Sequence, residues 1–79
     1  MNLSEAVAKR TNELLIKNNM SQYKLIKITC LDKTTIQSIL KNKTKDIKLS
    51  TVFLIADAFN MTISEFTNVP YFEKINIEL

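Results

Sequence analysis

This chain contains no glycine and a single proline, Pro70, in 79 residues. Wherever a helix must end and the backbone turn through the left-handed region, a residue carrying a Cβ has to do it. Asparagine is the next-best residue for that conformation, because its short amide bonds to nearby backbone. Asn19, Asn42 and Asn60 each follow a helical hydrophobic pattern and precede a new one. They are read as three helix ends, and they divide the chain into short, closely spaced helices.

The first helix is expected from Ser4, as N-cap, to Lys17 or Asn18, with Val7, Ala8, Thr11, Leu14 and Leu15 facing inward. Glu5 in the first turn and Lys17 in the last both suit the helix dipole. Met20 then plugs the gap before Ser21, which caps a second helix ending near Thr29 or Cys30, with Leu25 and Ile28 inward. Asp32 is expected to cap a third helix, Lys33 to Lys41, by accepting the free amides of Thr34 or Thr35. Leu31, Ile36, Ile39 and Leu40 pack, while Lys33, Thr34, Gln37, Ser38 and Lys41 fall on the other side. One face of Ser21 to Leu40 holds, and the other reaches.

After a polar loop, Asn42 to Lys48, a fourth helix starts near Leu49 or Ser50. Its stripe Val52, Ile55, Ala56 and Phe59 follows i, i+3, i+4, i+7 spacing and is the clearest core signal in the chain. Phe53 and Leu54 lie beside that stripe, so one of them is expected exposed, making the fourth and fifth helices the expected dimer surface. The fifth helix begins at Thr62, with Glu65 three residues on in a capping-box pattern and with Ile63 and Phe66 inward. Pro70 closes the helical region. In the tail, Ile75, Ile77 and Leu79 alternate with Asn76 and Glu78, a period of two that suits a strand. A lone strand has no ladder partner, so this segment either pairs with a second copy or is loosely ordered. The expected organisation is one helical domain over residues 1–69 and a short non-helical tail over residues 70–79.

A core this small supplies only about 3–5 kcal/mol unless helices pack well or a staple is added. The single cysteine, Cys30, has no intramolecular partner, and with no histidine a structural zinc site has almost no ligands. No metal or cofactor is expected, and no small-molecule ligand is evident. The N-terminal stretch lacks the apolar run of a signal peptide, and charges recur too often for a membrane span, so a soluble cytoplasmic protein is expected. Charge is unevenly placed. Lys24, Lys27, Lys33, Lys41, Lys43, Lys45 and Lys48 face only Asp32 and Asp46, whereas four basic residues face six acidic ones elsewhere. The net charge of +3 thus comes from the middle third, which suggests a surface that meets a polyanion.

At this point the residues resemble the XRE-type helix-turn-helix domain of phage repressors and Cro proteins. The resemblance rests on Met20-Ser21-Gln22, Leu25, the Thr29 to Asp32 turn, Thr35-Ile36, Ile39 and the run Thr51 to Phe66, and it covers Val7 to Phe66. It implies an all-α bundle of five helices whose third helix lies in the major groove of double-stranded DNA. Lys33, Thr34 and Ser38 match base-reading positions, and Gln37 shares their face. Gln22 matches a position that contacts the DNA backbone. Asn42, Lys43 and Lys45 match a phosphate-gripping loop, and Tyr23 and Lys41 join that backbone set. Tyr23 either sits half-buried against phosphate or packs on Lys27. Two positions depart from the family: Cys30 stands where glycine is usual, and Ile26 where alanine is usual.

The function these observations favour is a sequence-specific DNA-binding transcriptional regulator. It would act as a homodimer on a two-fold site, and as a repressor because no effector domain is visible. The alternative is a protein-interaction module, such as an antitoxin-like or regulatory adaptor, since a fold does not fix a function. A basic middle third speaks for DNA. An enzyme is not expected: histidine is absent, and the acidic residues are dispersed over helix surfaces.

Overall fold

The computed structural model describes residues 1–73. Five α-helices follow one another: α1 (Leu3–Lys17), α2 (Gln22–Thr29), α3 (Lys33–Leu40), α4 (Leu49–Ala58) and α5 (Ile63–Phe66). The all-α bundle expected from the sequence is the fold observed. The strand expected over Ile75 to Leu79 lies outside the described residues.

The three asparagines end their helices by one mechanism. Asn19, Asn42 and Asn60 have φ of 50°, 56° and 57°. Each donates its amide three residues back, to Ile16, Ile39 and Asp57, and the following residue reaches five back, to Leu15, Ser38 and Ala56. Those paired bonds satisfy carbonyls left free at a helix C-terminus, the Schellman arrangement normally built on glycine. Cys30 is the fourth left-handed residue, at φ 58°, but its turn is held differently. Its amide bonds Ile26, while the Thr29 hydroxyl donates to Leu25 and accepts the Leu31 amide.

Helix starts differ from expectation at two places. Asn2, not Ser4, caps α1: its side chain accepts the Glu5 amide while the Glu5 carboxylate accepts the Asn2 amide. Serine and asparagine both cap well, but the reciprocal box requires Glu5 at the third helical position, which places the cap at residue 2. Asp32 has N-cap backbone geometry but makes no side-chain cap bond. Its carboxylate is exposed, and water competes on nearly equal terms for an exposed acceptor. Thr62 and Glu65 form the expected capping box of α5.

The core has two lobes. Val7, Leu14, Ile39, Val52, Ile55, Ala56 and Phe66 form one, and Leu15, Leu25 and Ile36 the other, with Phe59 packed against both. Each fully buried large side chain contributes about 1.5–3 kcal/mol. Thr11 is also fully buried, its hydroxyl satisfied by the Val7 carbonyl at 2.7 Å. Ile28 is a correction: it is 46% exposed, and α2 packs through Leu25, Thr29 and the half-buried Ile26. On a 3.6-residue turn Leu25 and Thr29 are adjacent with Ile26 on one flank, which turns Ile28 outward.

Pro70 does not close the helical structure. It opens a 3-10 turn, Pro70–Phe72, because a fixed φ and a missing amide are compatible with a first helical position. Phe72 from this turn packs on the core, its ring edge-on to Phe66 at 6.1 Å. Tyr71 beside it bonds the Glu13 carboxylate and lies under the Lys9 ammonium at 4.7 Å.

Candidate nucleic-acid interface

The interface is built on α3. Ile36 and Ile39 are buried, and Leu31 and Leu40 pack beside them, which fixes the rotation of the helix about its axis. At 100° per residue, Lys33, Thr34, Gln37, Ser38 and Lys41 then share an arc of about 140° on the opposite side. Lys33 and Thr34 at the N-terminal end are exposed, as is Lys41, whereas Gln37 and Ser38 are half-buried.

Two side chains of α1 and α2 hold this helix. Asn12 on α1 donates to the Leu40 carbonyl at 3.1 Å, fastening the last residue of α3. The Thr29 hydroxyl, by accepting the Leu31 amide at 3.3 Å, fastens the turn that leads into it. The Asn12 bond leaves no pattern in the sequence, because its acceptor lies 28 residues away, whereas the Thr29 bond spans only two residues of the turn. Ile26, where the family favours alanine, is half-buried against the second core lobe rather than displaced from it.

Lys24 and Lys27 on α2, and Asn42, Lys43, Lys45 and Lys48 after α3, are all exposed. Gln22, in the first turn of α2, is half-buried. Tyr23 is 65% exposed, and its ring lies 5.1 Å from the Lys27 ammonium. The exposed polar arc of α3 therefore stands between basic residues of the helix before it and the loop after it. A helix presented in this way matches the width of the DNA major groove, and flanking lysines suit the phosphates on either side.

Among the described residues no cluster of three His, Cys, Asp or Glu side chains could hold a metal, and no helix is long and apolar enough to cross a membrane. Cys30 is exposed, with its sulfur 3.7 Å from the Lys27 carbonyl.

Neither a curated protein nor a solved structure matches the chain. A family model does, over residues 10–70, described as the Cro/C1-type HTH DNA-binding domain. That span takes in α2, the Cys30 turn and α3 with their supporting helices. The chain belongs to the Cro/C1-type helix-turn-helix DNA-binding domain family, and it is a DNA-binding regulator.

Proposed function

We propose that the protein is a sequence-specific repressor that reads the major groove of double-stranded DNA with α3, as a homodimer on a two-fold related site. What supports this is the opposition, on one eight-residue helix, of two buried isoleucines and an exposed polar arc led by Lys33 and Thr34. Lys33 bonds guanine O6 or N7, and Thr34 meets a thymine methyl. Gln37 and Ser38 follow on the same arc. Gln22, Tyr23, Lys41, Asn42, Lys43 and Lys45 contact the backbone and set the register. Repression needs no further module, because occupancy of a promoter excludes its other users.

Selection of bound sequences from a random DNA library tests the proposal. The expected outcome is a palindromic consensus whose half-sites lie about 10 base pairs apart, centre to centre, or a multiple of that. Enrichment of no sequence, with only salt-sensitive general binding, would overturn the assignment of base-reading residues. It would leave the protein-interaction role as the better reading.

A further inference from the structure

The loop between α3 and α4 leaves a half-open cleft of about 290 Å³ against the buried flank of α3. One wall is a single stripe, Leu31, Thr35 and Ile39, at the i, i+4, i+8 spacing that stacks side chains along a helix. The other wall is Thr44, Asp46, Ile47 and Lys48 of the loop, joined by Thr51 of α4. No run of sequence marks this cleft, because its walls come together only in the fold. Its lining falls into three kinds. Leu31, Ile39 and Ile47 are branched and apolar, the three threonines are half-buried and bring hydroxyls, and Asp46 and Lys48 are exposed and oppositely charged.

We propose that the cleft binds a small aliphatic α-amino acid, and that its occupation strengthens DNA binding by holding the loop. Charge selects a zwitterion. A simple carboxylate gains Lys48 but meets Asp46. A simple amine gains Asp46 but enters the most basic part of the chain, where seven lysines face two aspartates. A molecule with both charges sets its ammonium on Asp46 and its carboxylate on Lys48, with the threonine hydroxyls left for the remaining donors and lone pairs. Leu31, Ile39 and Ile47 then favour a branched hydrocarbon side chain over a polar one. The volume lies at the lower end of ligand sites, which suits a molecule of amino-acid size and excludes a nucleotide.

The cleft reaches the DNA interface from behind. Thr35 adjoins Thr34 on α3, and Lys45, a proposed phosphate contact, lies between Thr44 and Asp46. Among the described residues the amides from Thr44 to Lys48 donate no backbone hydrogen bond, and Ile47 on the first core lobe is the apolar anchor of the loop. A loop held this lightly loses freedom when it grips phosphate. A ligand that has already fixed Thr44 and Asp46 removes part of that cost. By linkage, DNA raises the affinity for the amino acid by the same factor. The coupling rests on the phosphate contacts proposed above; the binding itself does not.

Titration of the full chain with L-leucine, followed by amide shifts in nuclear magnetic resonance, tests the site without DNA. The expected result is saturable binding in the millimolar range or tighter, with shifts concentrated on the residues of the two walls. Isocaproate, isoamylamine and glycine lack in turn the ammonium, the carboxylate and the branched chain, and each should bind at least about fivefold more weakly. Asp46→Asn should erase the preference over isocaproate, and Lys48→Gln that over isoamylamine, which assigns each charge to its partner. No saturable shift up to the solubility limit of L-leucine, or equal binding of the singly charged analogues, would overturn the site. On a DNA fragment selected by the chain, saturating L-leucine should raise affinity about threefold to tenfold, and an unchanged or lowered affinity would overturn the coupling. A chain that binds L-leucine as described but selects no DNA sequence defeats the DNA reading and leaves the site standing.

Discussion

Asn12 joins α1 to the end of α3: its side-chain amide donates to the Leu40 carbonyl at 3.1 Å and to the Ala8 carbonyl at 2.8 Å. The last carbonyls of a helix have no partner within it, and an unfastened end frays. Leu40 is followed directly by Lys41, Asn42 and Lys43, the proposed phosphate contacts. Asn12 thus acts as a positioning residue for that loop, without lying on the interface itself.

Asn12→Ala removes this bond and leaves the buried face of α1 untouched. One hydrogen bond of this kind contributes about 0.5–1.5 kcal/mol. Thermal denaturation should show a fall of about 4–8 °C per kcal/mol lost, the usual scale for a domain of this size. DNA affinity should weaken while the preferred sequence stays the same. A changed base preference would place Asn12 among the reading residues instead.

Arg10 does the same for α5. Its Nε donates to the Phe66 carbonyl at 2.7 Å, its Nη2 to the Glu65 carbonyl at 3.2 Å, and its guanidinium lies 5.9 Å from the Phe66 ring centroid. A four-residue helix has little cohesion of its own, so an external fork at its C-terminus matters more than it would in a long helix. Arg10→Ala is expected to cost about 1.5–3 kcal/mol, the range for bonds to a charged donor, as measured by urea denaturation. Arg10→Lys should recover less than half, because an ammonium cannot reproduce the planar fork.

Cys30 holds φ 58° between α2 and α3, where a side chain with a Cβ is strained. Glycine removes a strain of about 1–2 kcal/mol and adds unfolded-state entropy worth about 0.4–1 kcal/mol. Cys30→Gly should therefore stabilise the protein by up to about 1 kcal/mol. Cys30→Val, β-branched at the same angle, should destabilise it by about 1–3 kcal/mol. Equal midpoints for the two variants in chemical denaturation would show that the turn is not under strain.

Local patterns made the scaffold legible, and partners distant in sequence hid the rest. The asparagine helix ends, the Thr62–Glu65 box and the α4 stripe depend on residues within one or two turns of each other, so the chain displays them directly. The same holds for the polar arc of α3, because two buried isoleucines three residues apart fix the opposite face. The bonds of Arg10 and Asn12 leave no local pattern in the sequence, since their acceptors lie 55–56 and 28 residues away. Ile28 failed for a related reason. In an eight-residue helix either of two adjacent arcs can carry the apolar residues, and only the neighbouring helices choose between them.

Tyr71 gives the domain a pH-dependent contact. Burial, its hydrogen bond to Glu13 and the charge of that carboxylate push its phenol up to about 12 from the ordinary 10. A raised value in the folded state means that the neutral phenol is favoured there. Its contribution is fully present below pH 10 and is lost as pH rises through about 12. In Tyr23→Phe, where Tyr71 is the remaining tyrosine, absorbance of the tyrosinate should titrate near the raised value. Adding Glu13→Gln should move the midpoint down, and a midpoint already at the ordinary value would show that the contact does not form.

Lys33 and Lys43 are proposed for different tasks, one reading bases and the other gripping phosphate, and a single pair of variants separates them. Each lysine that neutralises a phosphate steepens the dependence of log affinity on log salt by about 0.9. Lys43→Ala should therefore flatten the slope by about that amount and weaken binding by a similar factor on every sequence. A bidentate contact to guanine discriminates against the wrong base by about 1–3 kcal/mol, so Lys33→Ala should relax preference at one position of each half-site. Binding of both variants to an oligonucleotide panel at several salt concentrations measures both quantities. If Lys33→Ala lowered affinity uniformly and flattened the slope as Lys43→Ala does, Lys33 would be a phosphate contact, and base reading would fall to Thr34, Gln37 and Ser38 farther along the same arc.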